Sequence, residues 1–229
     1  MRKILLLLSL FILGACTPFE HAPPPATPVA VTIAYPPTLG WMESALQNCA
    51  EETPGMILLV EERVSPGLEE ADVFLSLGPP SEGVPGYATL LGRESLVVIA
   101  NPATDPDSVD IATIRRSYTS LEPPFQAWTY PQGYTLRQIF ASTLLEGSYA
   151  PGVLVAPDPE AILEAIIDHE DALGFLPKAN LDGDVQTIPL PEDIEEELAL
   201  PLIAFTAAEP EGILSVYLGC LSNQLGKAR

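Results

Sequence analysis

The side chains able to do acid–base, nucleophilic or metal chemistry are few in this 229-residue sequence and poorly placed for it. Of the two histidines, His21 lies in a proline-rich stretch. His169 ends a helical pattern, with Asp168 before it and Glu170 and Asp171 after it. An imidazolium there is favoured by a helix C-terminus and by its acidic neighbours, a structural role. A serine triad would have one possible base, and the small-x-Ser-x-small turn that exposes such a nucleophile is absent from the sequence. Cys49 and Cys220 have no histidine near them in sequence, so neither thiol catalysis nor a zinc site is indicated. The glycine loop that cradles nucleotide phosphates is missing. The acidic run Glu192, Asp193, Glu195, Glu196, Glu197 lacks the alternating spacing and glycine of a calcium loop. The sequence therefore points away from an enzyme, and neither a cofactor nor a metal is expected.

Charge narrows the choice of partner. The chain has 10 basic and 31 acidic residues, a formal net charge of −21. Its field repels nucleic acid and anionic headgroups, so a nucleic-acid partner is not expected. The few basic residues then carry more weight than usual, Arg137 among them. Cys49 belongs to the apolar stripe Trp41, Met42, Ala45, Leu46, Cys49, and Cys220 falls in the last helical pattern. In an oxidising compartment these two can form a disulfide; two separately buried thiols are the alternative, and the sequence leaves both open.

The amino terminus has Arg2 and Lys3, then an apolar run over 4–13 interrupted by Ser9. That run is too short for a lasting membrane span and reads as a signal-peptide core. Leu13-Gly14-Ala15-Cys16 follows it and resembles the lipobox of bacterial lipoproteins. The resemblance implies removal of residues 1–15, lipidation of Cys16, and an extracytoplasmic domain lipid-anchored to the membrane on its outer face or periplasmic side. Buried acyl chains contribute roughly 0.8 kcal/mol per methylene to such an anchor. Loss of Arg2 and Lys3 leaves eight basic residues against 31 acidic, a formal charge of −23. Residues 16–28, rich in proline and alanine, read as an extended tether.

Beyond the tether, 29–34 is a β-branched buried strand, and Thr38 stands where an N-cap is expected for a helix over 40–51. Strands are expected at 56–60, 73–77, 87–91 and 95–100, and a helix at 108–119. A strand over 125–130, a helix over 135–146, a strand over 153–156 and a helix capped by Asp158 follow. Short strands at 172–176 and 185–190, a charged turn or helix at 192–198 and a helix over 212–225 complete the pattern. Alternating strands and helices predict an α/β chain with parallel sheet.

Three segments carry a more specific likeness: 95–120, 130–140 and 171–190, which include SLVVIANPATDPDS, YPQGYTLRQIF and DALGFLPKANLDGD. In that order they resemble the type 2 periplasmic binding proteins, in particular the phosphate-binding-like branch of ABC-transporter solute receptors. The resemblance implies an α/β fold of two lobes, each a mainly parallel sheet flanked by helices. Lobe 1 would comprise 29–100 plus 185–229, and lobe 2 would comprise 101–184. It further implies a monomer that binds a small anionic or polar ligand between helix starts and presents it to an ABC permease. A sensor or interaction module with a degenerate cleft is the alternative. The ligand residues it implies are Thr38, Leu39, Ser76, Gly133, Tyr134, Thr135 and Arg137. The second-lobe motif of that family is Ser-Gly-Thr, then arginine and, three residues on, phenylalanine. Arg137 and Phe140 keep this spacing, whereas Tyr134, Thr135 and Leu136 stand before the arginine.

Overall fold

The computed structural model describes residues 27–64, 68, 71–79, 86–182 and 185–227. The leader, Cys16 and nearly all of the tether lie outside the described residues. Strand β1 (Val29–Tyr35) leads through a 3-10 turn (Pro37–Met42) into helix α1 (Glu43–Glu51), and β2 (Met56–Glu62) and β3 (Val73–Leu77) follow. β1 lies between β2 and β3, parallel to both. This is the β-α-β order that the alternation of apolar runs requires.

β4 (Tyr87–Ala100) organises the rest. Its residues 87–95 pair antiparallel with β9 (Ala199–Thr206), which is itself antiparallel to β3. Its residues 96–100 pair instead with β7 (Ala172–Pro177), and 98–100 also with β8 (Gln186–Ile188). β5 (Gln126–Thr129) runs parallel to β7 and to β6 (Leu154–Val155). One strand thus belongs to two ladders, giving the order β2-β1-β3-β9-β4-β7-β5-β6. The helices α2 (Ile111–Thr119), α3 (Thr135–Leu144), α4 (Pro159–Asp168), α5 (Glu192–Glu197) and α6 (Gly212–Lys227) complete the chain. None of the described helices is long and apolar enough to cross a membrane.

The structure corrects several sequence expectations. The two strands expected at 87–91 and 95–100 are one, because the residues between them continue the ladder past a register shift at Leu90/Gly92. β9 was not anticipated at all. Pro201 interrupts its apolar run and cannot donate to a ladder. It is accommodated opposite Arg93, just beyond that shift, while its carbonyl accepts from Gly78 N at 2.8 Å. The sheet is consequently mixed, with parallel pairing confined to β1–β3 and β5–β7. Asp158 does cap α4, accepting from Ala161 N at 2.8 Å, and Asp110 caps α2 in the same way at 2.7 Å.

Two sets of buried side chains hold the halves. On the β1–β3 side, Ile33, Leu46, Leu75 and Tyr217 are inaccessible, and Tyr217 donates from its hydroxyl to Leu46 O at 3.1 Å. On the β5–β7 side, an aromatic cluster dominates. Phe140 and Phe175 stack at 3.9 Å, and Tyr118 meets Phe140 edge-on at 4.9 Å. Such pairs contribute about 0.5–1.5 kcal/mol each beyond area burial. Asn101, at the end of β4, is buried and satisfied: its amide donates to Ile166 O and Ile167 O, and its oxygen accepts from Ala103 N. It ties the crossing strand to the last turn of α4.

Of the two alternatives left open for the cysteines, the bridge is the one found. Cys49 in α1 and Cys220 in α6 are disulfide-bonded, with Cα atoms 5.7 Å apart and a sequence separation of 171. Closing so long a loop constrains the unfolded chain strongly. Replacing both by alanine is expected to lower unfolding stability by about 2–5 kcal/mol, measured by urea denaturation. A reductant should shift the native chain similarly and leave the double variant unchanged.

Candidate functional site

The site forms where chain leaves the carboxyl ends of parallel strands. After β1, Pro36 takes an extended conformation (φ −73°, ψ 154°) and Pro37 opens the 3-10 turn. Pro36 is therefore the cap residue, and it supplies no side-chain bond. Thr38 is not an N-cap: it is the second residue of the turn, 2% exposed. Leu39, whose N–H donates to Pro36 O at 2.8 Å, is fully buried in the core. After β5, Tyr134 is the cap residue of α3 (φ −72°, ψ 129°) and Thr135 is its first helical residue; no side chain caps this helix either. Gly133 supplies the positive φ of 103° that the preceding turn needs.

Thr38, Ser76, Tyr134 and Thr135 converge on one cavity, with Pro36, Phe74, Leu77 and Leu136 completing its walls. Two helical starts therefore border the same space; at the first, Pro37 has no N–H and Leu39 N is bonded to Pro36 O, whereas at the head of α3 the first N–H groups lack intrahelical partners and the dipole is positive. Ser76 Oγ donates to Gly78 O at 2.9 Å, so its hydroxyl proton is committed to its own turn and its lone pairs remain. The cavity volume is about 10 Å³. That is at the limit for one water molecule and far below what a polyatomic anion needs.

Tyr134 is the reason. Its ring stacks on Tyr130 at 5.5 Å and 7°, and its hydroxyl donates to Pro157 O at 2.7 Å. A side chain held at both ends covers the head of α3. Tyr130 is fully buried beneath it, its hydroxyl without a partner among the described residues. The surroundings are acidic. Burial, then Glu62 and Asp158, pushes the Tyr134 hydroxyl up; burial, then Glu43 and Glu62, does the same to Tyr35.

The remaining expected residues lie elsewhere. Leu39 is core, whereas Gly133 and Arg137 border a separate cavity of about 350 Å³ with Gln138, Ser142 and Tyr149. Arg137 Nη1 donates to Tyr130 O at 2.6 Å, and its Cζ sits 4.4 Å above the Tyr149 ring. Tyr149 returns a bond from its hydroxyl to Arg137 O at 2.8 Å. Arg137 thus joins the turn before α3 to the chain after it. Sequence reasoning did not single out Tyr130 or Glu62. The stacked pair has a legible trace, two tyrosines at a spacing of four across a glycine turn; Glu62 has none.

With this geometry the chain can be compared with known proteins. Neither family models nor curated proteins match it. Solved structures do. A protein from Clostridium perfringens described as a phosphate ABC transporter substrate-binding protein, with bound phosphate, superposes with a TM-score of 0.71 over 84% of this chain and 93% of its own, at 12% identity. An ABC-type phosphate transport receptor from Vibrio cholerae gives a TM-score of 0.63 over 87% and 96%, at 16% identity. The fold is that of the type 2 periplasmic binding proteins. The same fold serves other ends, since a variant OxyR2 regulatory domain from Vibrio vulnificus matches with a TM-score of 0.66 over 87% of this chain and 97% of its own, at 13% identity. Identities this low convey architecture, and the site must be argued from its own residues.

The tyrosine clasp has a pH signature. Burial pushes the Tyr149 hydroxyl up to about 12, against the opposing pull of Thr129 and Arg137. An unfolded tyrosine ionises near pH 10, so between about 10 and 12 the folded chain holds a proton the unfolded chain has released. Stability is therefore expected to fall as pH rises through that window. Tyr149→Phe should make the fall shallower, measured by urea midpoints at pH 8 to 11.5.

Proposed function

We propose that the chain is an extracytoplasmic solute-binding lipoprotein, anchored through Cys16, that captures a small polar or anionic ligand and presents it to an ABC permease. The observation that carries this reading is the meeting of Thr38, Ser76 and Thr135 at one gap bordered by two helical starts. Backbone N–H groups and hydroxyls suit an oxyanion or a polar neutral molecule without requiring a cation. The carboxylates of Glu62 and Asp158 near Tyr134 disfavour multiply charged anions. Singly charged or neutral polar solutes fit the electrostatics better than phosphate dianion. Entry requires the halves to part at the crossing strand, and the tyrosine cover to move with them.

A second reading, a sensor or interaction module with a degenerate cleft, is supported by the cavity of about 10 Å³ and by the two-point attachment of Tyr134. Thermal unfolding in the presence of phosphate, sulfate, molybdate, small carboxylates and neutral polar solutes separates the two. A ligand at one hundred times its dissociation constant is expected to add about 2.7 kcal/mol of stability. Tyr134→Gly, which removes the cover, should tighten that ligand's binding if the tyrosine must move aside. No shift with any solute, in native chain and variant alike, would favour the second reading.

A further inference from the structure

Another cavity, of about 590 Å³, opens along β4 and shares no lining residue with the cleft. Its walls come from five parts of the chain: Trp41 from the first 3-10 turn, Arg93 and Glu94 from β4, Lys178 from the turn after β7, Leu202 from β9 and Leu225 from α6. Its volume is within the range of small-molecule sites.

We propose that this cavity binds a carboxylate carrying an apolar, aromatic-sized body. Two features support the assignment. Arg93 and Lys178 are two of the eight basic residues beyond the leader, in a chain with 31 acidic ones. Neither makes an ion pair among the described residues. Two cations at one cavity, neither held by a carboxylate of the described residues, are a place for an incoming anion. Glu94 shares the cavity, but its Oε1 is engaged by Ser95 N at 3.0 Å and Ala179 N at 3.3 Å. The Trp41 indole Nε1 is buried without an acceptor among the described residues. That nitrogen is closed off from the cavity, so Trp41 contributes its ring to the wall and not a donor. Finally, the faces of Trp41, Leu202 and Leu225 form an apolar wall beside the two cations, which selects an amphipathic anion over an inorganic one. The guanidinium of Arg93 matches the two oxygens of a carboxylate. Since Lys178 follows β7 while Leu202 and Leu225 belong to elements packed on the other part of β4, a bound carboxylate touches both ladders of the crossing strand.

Isothermal titration of the purified full-length chain tests this with phenylacetate as the probe, phenethylamine as its cationic counterpart and inorganic phosphate as a control for the cleft. One saturable site for phenylacetate and none for phenethylamine are expected. The double variant R93Q/K178Q, whose side chains are exposed and whose unfolding temperature should be unchanged, is expected to bind phenylacetate at least tenfold more weakly. Trp41→Ala, which removes the ring from the wall, should weaken it several-fold. Arg116→Gln, away from the cavity, should leave it unaltered. The response to phosphate, positive or negative, should be the same in native chain and double variant, which keeps this site distinct from the cleft. No saturable heat with phenylacetate, or equal affinity in the native chain and R93Q/K178Q, overturns the proposal.

Discussion

One strand constrains everything else in this molecule. β4, 14 residues long, spans about 45 Å at the usual rise per residue and serves first one ladder and then another. Because the hydrogen bonds of both halves are written on the same backbone, neither half can drift sideways; they can only bend about the strand. The register shift at Leu90/Gly92 and the proline at 201 concentrate irregularity in the ladder with β9, where bending is least costly. The position of the cleft follows from this arrangement. β1, β3 and β5 end at Tyr35, Leu77 and Thr129, and ligand crevices in α/β sheets form outside the carboxyl ends of such strands. The end of β3 and the turns leaving β1 and β5 therefore bring Ser76, Thr38 and Thr135 to a common space.

What fills that space is aromatic. Tyr134, which lines that space, stacks on the buried Tyr130, and the same rings continue into Phe175, which Tyr130 meets edge-on at 5.4 Å. The cover is consequently an extension of the second half's core rather than a loose lid. Arg137 reinforces the assembly from outside by tying Tyr130 O to the Tyr149 ring. Arg137, expected from the sequence as a ligand residue, acts here on the protein's own backbone.

Much of the architecture was legible because it is local. The 3.6-residue stripe of α4 and its cap at Asp158, the β-branched run of β1 and the apolar block of β3 each declare themselves within ten residues. β9 did not, because Pro201 breaks its pattern and only the irregularity of a strand a hundred residues away accommodates it. The continuity of β4 was hidden for the same reason: Gly92, Arg93 and Glu94 look like a turn until their partners in β9 are known. At the site, residue types indicated which turns would converge, and Thr38, Ser76, Tyr134 and Thr135 do converge. They could not indicate side-chain direction. Leu39 faces the core and Arg137 faces away because Leu39 is one residue on from Thr38 and Arg137 two residues on from Thr135, and such steps along a helical turn move a side chain to a different face.

Cross-linking tests most directly whether the crossing strand holds two helical starts against one another. In the variant T38C/T135C, with the Cys49–Cys220 bridge intact, mild oxidation should produce an intramolecular disulfide in high yield. T38C/S142C, whose second position borders the cavity beside Arg137, should yield none. Failure of the first pair to cross-link, or equal yields from both, would contradict the account.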